Sequence, residues 1–202
     1  AEGERDIQLY LYEEGGDGYM HTRTEGGQGN ASSVTIAAGG DFNFALTDEQ
    51  DRGLRAALTL EPYRSGVAAH AWVWACVNAL FGGSTLEFSM VDASNREGTS
   101  GTTLAKGEMT VDTNCPSFAE PDANDNDNFD LTWESGIPDS DGKYEIEQGR
   151  YLVVQAQNTG GAGIKMGIDS GTDGDPPTSL EIVTNPVSEI TLDSEALNLA
   201  TI

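Results

Sequence analysis

Apolar and polar residues alternate with a period of two along most of this chain. Ile7, Leu9 and Leu11 interleave with Gln8, Tyr10 and Tyr12, Phe42 and Phe44 flank Asn43, and Leu54, Ala56, Leu58 and Leu60 form a third set. Leu86, Phe88 and Met90 follow, then Ile164, Met166 and Ile168, then Leu180 and Ile182 around Glu181. Successive side chains of an extended segment point to opposite faces, so each set predicts a half-buried strand with one face on a core. Turn clusters such as Gly15-Gly16-Asp17-Gly18, Gly39-Gly40-Asp41 and Asp141-Gly142 separate them. The pattern predicts an all-β fold, an antiparallel jelly roll or β-sandwich of about ten strands.

Ala68–Ala79 breaks the alternation with a nearly continuous apolar run. It reads as a central strand covered on both sides, with Trp72, Trp74 and Cys76 on one face and Val73 and Val77 on the other. Burial preference places the two tryptophans in the core, with ligand stacking as the less common alternative. Thr47 to Arg55 holds the one plausible helical turn, capped by Thr47 or Asp48. Asn185-Pro186 ends the last clear strand, dividing the chain into a β-sandwich domain (1–185) and a strand-like tail (186–202). In that tail Ile190 and Leu192 alternate, Asp193-Ser194-Glu195 interrupts, and Leu197 and Leu199 resume with opposite parity. The tail either adds strands to its own sandwich or leaves to complete a neighbour's sheet, the N-terminal arm with Ile7, Leu9 and Leu11 being an equally placed donor.

Charge narrows the partners. The 202 residues carry 34 Asp+Glu against 10 Lys+Arg, a formal charge of −24, which repels nucleic acid and anionic membranes. Only three of the cations are lysines (Lys106, Lys143 and Lys165), a balance typical of proteins in salty surroundings, although an ordinary acidic secreted protein would share it. No run is long and apolar enough to span a membrane, and the start at Ala1 fits a mature secreted or cell-surface protein. Cys76 and Cys115 suit that compartment as a single disulfide, the alternative being two unpaired cysteines. Asn30-Ala31-Ser32 is a glycosylation sequon in a Gly-rich loop.

Acidic loops are the first candidates for chemistry. Asp122, Asn124, Asp125, Asn126, Asp127 and Asp130 alternate carboxylate and amide oxygens, as a hard cation such as calcium requires, and Asp169, Asp173 and Asp175 form a second candidate. The first lacks the Gly and the terminal Glu of an EF-hand, and a solvated loop is the plain alternative. No nucleophile elbow, zinc-protease, phosphate-loop or haem motif occurs, and neither His21 nor His70 has triad or metal spacing, so catalysis is not expected.

Several segments resemble jelly-roll modules of secreted and surface proteins in bacteria and archaea. These are Asp6–Tyr12, Phe42–Leu46 with Leu54–Leu60, Leu86–Met90 before Gly101–Val111, and Met166–Ser170 before Pro177–Ile182. The apolar tail and acidic loops are similar to those of extracellular filament and tubule subunits, the TasA-like bundling pilins and the calcium-dependent cannula proteins. That resemblance implies self-assembly by strand donation, with calcium at subunit contacts. The leading expectation is a secreted structural subunit forming a homopolymeric filament, sheath or surface layer. The alternative is a calcium-stabilised glycan-binding module, with Tyr10, Tyr12, Tyr63, Trp133 or Tyr151 as platform.

Overall fold

The computed structural model describes residues 5–22, 33–47, 51–78, 82–115, 126–168, 177–185, 190–191 and 200–201. Among them there is no helix, so the turn expected around Thr47 to Arg55 does not form in its described part. The strands are β1 (Arg5–Glu14), β2 (Asp17–His21), β3 (Ser33–Ile36), β4 (Asp41–Ala45), β5 (Leu58–Glu61) and β6 (Val67–Asn78). They continue with β7 (Ser84–Ala93), β8 (Thr102–Val111), β9 (Asn126–Trp133), β10 (Tyr144–Ile146), β11 (Tyr151–Asn158), β12 (Gly163–Gly167) and β13 (Ser179–Asn185). Two short tail strands, β14 (Ile190–Thr191) and β15 (Ala200–Thr201), pair with each other and, among the described residues, not with the main sheet.

The all-β, mainly antiparallel expectation holds, but the two sheets of a sandwich are here one sheet closed on itself. β13 pairs with β1 on one side and with β6 on the other, which closes a ring β13-β1-β2-β4-β11-β7-β8-β9-β6. The ring has one parallel seam, Gly18↔Phe44 and Tyr19↔Ala45 between β2 and β4. β5 and β10 extend from β13, and β12 and β3 extend from β6. Among the described strands, closure leaves the short strands β10 and β3 at the ends of this sheet.

Local chemistry explains the strands that the alternation predicts. β1 turns into β2 through Gly15 and Gly16, whose φ angles of 64° and 95° are those of a two-residue hairpin turn that other residues resist. Ile7, Leu9 and Leu11 then face inward with Phe44, Leu86, Phe88, Leu104, Leu131, Leu152, Val154, Leu180 and Ile182 in one continuous core. The interior is packed with side chains, as expected for a small closed sheet. Leu54 is buried as its pattern implies, yet only Leu58–Glu61 of its set is strand.

Buried carboxylates near the β5–β10 extension meet cations. Asp92 accepts from Arg150 Nε at 2.5 Å and from Tyr144 Oη at 2.8 Å, and Lys143 Nζ lies 3.1 Å from the buried Glu61 carboxylate. Burial, together with the bond to Asp92, pushes the Tyr144 phenol up to about 12, so it remains a donor throughout the ordinary pH range. The Cys76–Cys115 disulfide is present, with Cα atoms 5.1 Å apart, and clamps the end of β6 to the segment after β8. Val77 N–H donates to Thr113 O, and Cys115 N–H donates to Val77 O, on the same stretch.

Candidate ligand-binding face

The outward positions of β6 are His70, Trp72 and Trp74, because Ala69, Ala71, Val73, Ala75 and Val77 fill the core. Parity is as the sequence implies, but coverage is not. Trp72 is 38% exposed and is the large hydrophobic residue that the described surface leaves open. The expectation of a core tryptophan fails there because the strands flanking β6 present short polar side chains outward and none of them covers the indole.

Register builds two rows across this face. One runs Asp130 (β9), His70 (β6), Glu181 (β13) and Gln8 (β1); the other runs Asn128, Trp72, Ser179, Tyr10 and then His21 on β2. Strands lie ~4.8 Å apart, so Trp72 and Tyr10, two strands distant, sit about 10 Å apart in the sheet plane. Tyr12 continues the aromatic side, stacked on His21 with centroids 3.4 Å apart and on Tyr19 at 5.1 Å. Arg96 caps this end with its guanidinium 4.6 Å from the Tyr19 ring centroid and its Nη1 2.7 Å from Asp51.

His70 organises the other end. Only 8% exposed, it places Nδ1 2.7 Å from Asp130 Oδ1, while Arg64 pairs with the other carboxylate oxygen. The Arg64 hydrogen bond and then that of His70 hold Asp130 below the usual carboxylate range, against its partial desolvation. An ionised Asp130 accepts from Nδ1–H, the tautomer in which Nε2 is the acceptor of the ring. Nε2 has no hydrogen-bond partner among the described residues. Tyr63 stacks on the imidazole at 5.6 Å and 12°, and Trp72 meets it edge-on at 4.8 Å. The Tyr63 hydroxyl donates to Glu181 Oε2 at 3.3 Å; burial first and then the Glu181 charge raise its pKa, which keeps it a donor.

One glycine makes room for this arrangement. A side chain at Gly107 on β8 would collide with the Asp130 carbonyl oxygen and the Phe129 ring, so its absence lets β9 lie close enough to hold Asp130 against His70.

The predicted site residues fare unequally. Asn126, Asp127 and Asp130 lie on β9 rather than in a loop, and strand parity sends Asp127 to the face opposite Asn126 and Asp130. Asp122, Asn124, Asp125, Asp169, Asp173, Asp175, Asn30, Leu192, Leu197 and Leu199 lie outside the described residues. Among the described residues no group of three or more His, Cys, Asp or Glu side chains is arranged to hold a metal. Ile7, Leu9 and Leu11 lie in the core of this same chain, and Ile190 lies on β14. Of the proposed aromatic platform, Tyr10, Tyr12 and Tyr63 share the face described above. Trp133 packs against the core, and Tyr151 belongs to a separate small cluster with Val91 and Val153. Sequence reasoning put ligand stacking by Trp72 second to burial and missed the His70–Asp130–Arg64 group; the polar residues alternating with apolar ones on β13 and β9 were the available signal.

No family model and no curated protein matches the sequence. Among solved structures, the fold is similar to an aminopeptidase from a marine sediment archaeon, Thaumarchaeota archaeon, with a TM-score of 0.59 at 10% identity over 92% of this chain. It is also similar to an α-amino acid ester hydrolase, with a TM-score of 0.54 at 10% identity over 88% of this chain. The chain spans 37% and 36% of those two proteins, so the likeness concerns a part of each and shows the fold alone.

Proposed function

We propose that this chain is an extracellular β-domain that binds glycans on the face around Trp72. The observation that carries the reading is Trp72 itself, an exposed indole beside an open imidazole nitrogen, a half-buried carboxylate and a row of tyrosines. Sugars present apolar ring faces edged by hydroxyls, and a flat aromatic surface ringed by fixed acceptors and donors matches both features. The two hydrolases of similar fold carry it as about a third of a longer chain, which supports a role as one module among others. The Trp72→Ala variant should lose binding to immobilised polysaccharide by about 10-fold or more, roughly 1.4 kcal/mol, with an unchanged circular dichroism spectrum. A wild-type protein that retains none of a broad panel of neutral and charged glycans would overturn the reading.

Self-assembly into an extracellular filament or surface layer is the second reading. It is favoured by the tail, where among the described residues β14 and β15 pair only with each other, and by the position of β3 and β10 at the ends of the described sheet. Donation of Val187–Ile202 to such an edge would join copies by backbone hydrogen bonds, with calcium or salt offsetting −24 per copy. Removing residues 187–202 should then turn polymers seen by negative-stain microscopy into monomers; equal assembly by the truncated chain counts against strand donation.

A further inference from the structure

We infer that the ligand of the Trp72 face carries a free ammonium group, as in a deacetylated amino-sugar oligomer, and that Glu181 is the residue that selects it. This rests on the glycan reading above and narrows it to a chemical class.

Asp130 is met by Arg64, Asp92 by Arg150, Glu61 by Lys143 and Glu87 by Lys106. Among the described residues Glu181 is met by no Lys or Arg, and its one hydrogen bond there is the 3.3 Å contact from the Tyr63 hydroxyl. It is only half-exposed, with His70 in register on β6 and Gln8 in register on β1. A partly desolvated carboxylate without a cation gains from one supplied by a ligand.

The neighbouring groups point the same way. His70 offers an unpartnered Nε2 lone pair from a side chain that is nine-tenths buried, and its Nδ1 is committed to Asp130. The Ser179 hydroxyl is engaged by Gln8 Nε2 at 2.5 Å. Two groups at the centre of the face accept hydrogen bonds, Glu181 and, in the Nδ1–H tautomer, His70 Nε2. An ammonium carries three donors and no acceptor, which complements that pair, and the exposed Trp72 ring adds a favourable face for a cation. The same face rejects uronic or sulfated sugars, because a chain of charge −24 repels them before contact.

Binding of short, soluble oligomers tests the inference, since long polycations would adhere to any acidic protein. Isothermal titration at 0.15 M salt should show free-amine hexosamine oligomers binding at least 10-fold tighter than the N-acetylated oligomers of equal length. Glu181→Gln should bring the two within about 2-fold of each other, whereas Glu145→Gln, which removes an exposed charge on β10, should leave the preference intact. Trp72→Ala should weaken both ligands together. Equal affinity of the wild type for both oligomers, or a preference that survives Glu181→Gln, overturns the inference and leaves glycan binding standing. Absence of binding to either oligomer and to every other glycan instead removes the reading on which it rests.

Discussion

Replacing Cys76 and Cys115 together by alanine should lower the stability of this protein by about 4 kcal/mol. The two residues are 39 apart in sequence, and closing a loop of that length in the unfolded chain carries an entropy cost of that order. Both cysteines are buried, at 0% and 2% exposure, so the substitution also leaves a small apolar void where the sulfurs were. The loop so closed contains the whole of β7 and β8, the hairpin that supplies Leu86, Phe88, Met90 and Leu104 to the core. Its far end is fastened by only a few backbone bonds, those between Val77, Thr113 and Cys115. Urea unfolding of the double variant, compared with the wild type under oxidising and reducing conditions, measures the effect. Reduction of the wild type should move its midpoint to near that of the variant. A loss below about 1 kcal/mol would mean that the unfolded chain is already held compact, for example by its hydrophobic segments.

The strands were legible wherever one face meets the core and the other meets water, as in β1, β7, β12 and β13. β9 was not. Asn126-Asp127-Asn128 reads as a solvated or cation-binding loop, since Asn and Asp are poor strand formers. Pairing with β6 from Val67 to Trp74 overrides that preference, because the partner strand supplies the backbone bonds and Leu131 the inward anchor. Ring closure was equally hidden, for it depends on β13 serving both β1 and β6, a long-range choice that leaves no local trace. The candidate site follows the same division. Tyr10, Tyr12 and Tyr63 were recognisable as outward aromatics, yet His70 and Asp130 are 60 residues apart, and nothing in either neighbourhood predicts their 2.7 Å contact. Trp72 shows the limit of parity, which tells which residues share a face and not what covers that face. The acidic composition acquires a finer meaning from the same contacts. Lys and Arg are too few to neutralise the chain, and several of them are spent on half-buried carboxylates, so a carboxylate passed over, such as Glu181, stands out.

Phe88→Ala should cost 3–5 kcal/mol, the range about expected when a fully buried aromatic ring is truncated. Phe88 is 0% exposed at the middle of β7, and its partners in register are Gly107 on β8 and Ala156 on β11. With the smallest residues on both sides, no adjacent cross-strand side chain can swing into the vacated space, which puts the loss toward the upper end of that range. The ring also meets Phe129 edge-on at 5.4 Å, a contact worth about 1 kcal/mol beyond the area buried. Phe129 immediately precedes Asp130, so the same truncation loosens the strand that aims Asp130 at His70. Phe88→Leu keeps most of the volume and should lose only about 1–2 kcal/mol. Urea unfolding of both variants separates the cavity from the ring contact, and oligosaccharide titration well below their midpoints reports on the face. A Phe88→Ala variant as stable as Phe88→Leu would mean that the ring's neighbours collapse into the gap, contrary to the rigid packing that Gly107 and Ala156 impose. If Phe88→Ala is folded and yet binds sugar less tightly than Phe88→Leu, core packing and the face communicate through β9, and that is the result expected from the Phe88–Phe129–Asp130 chain of contacts.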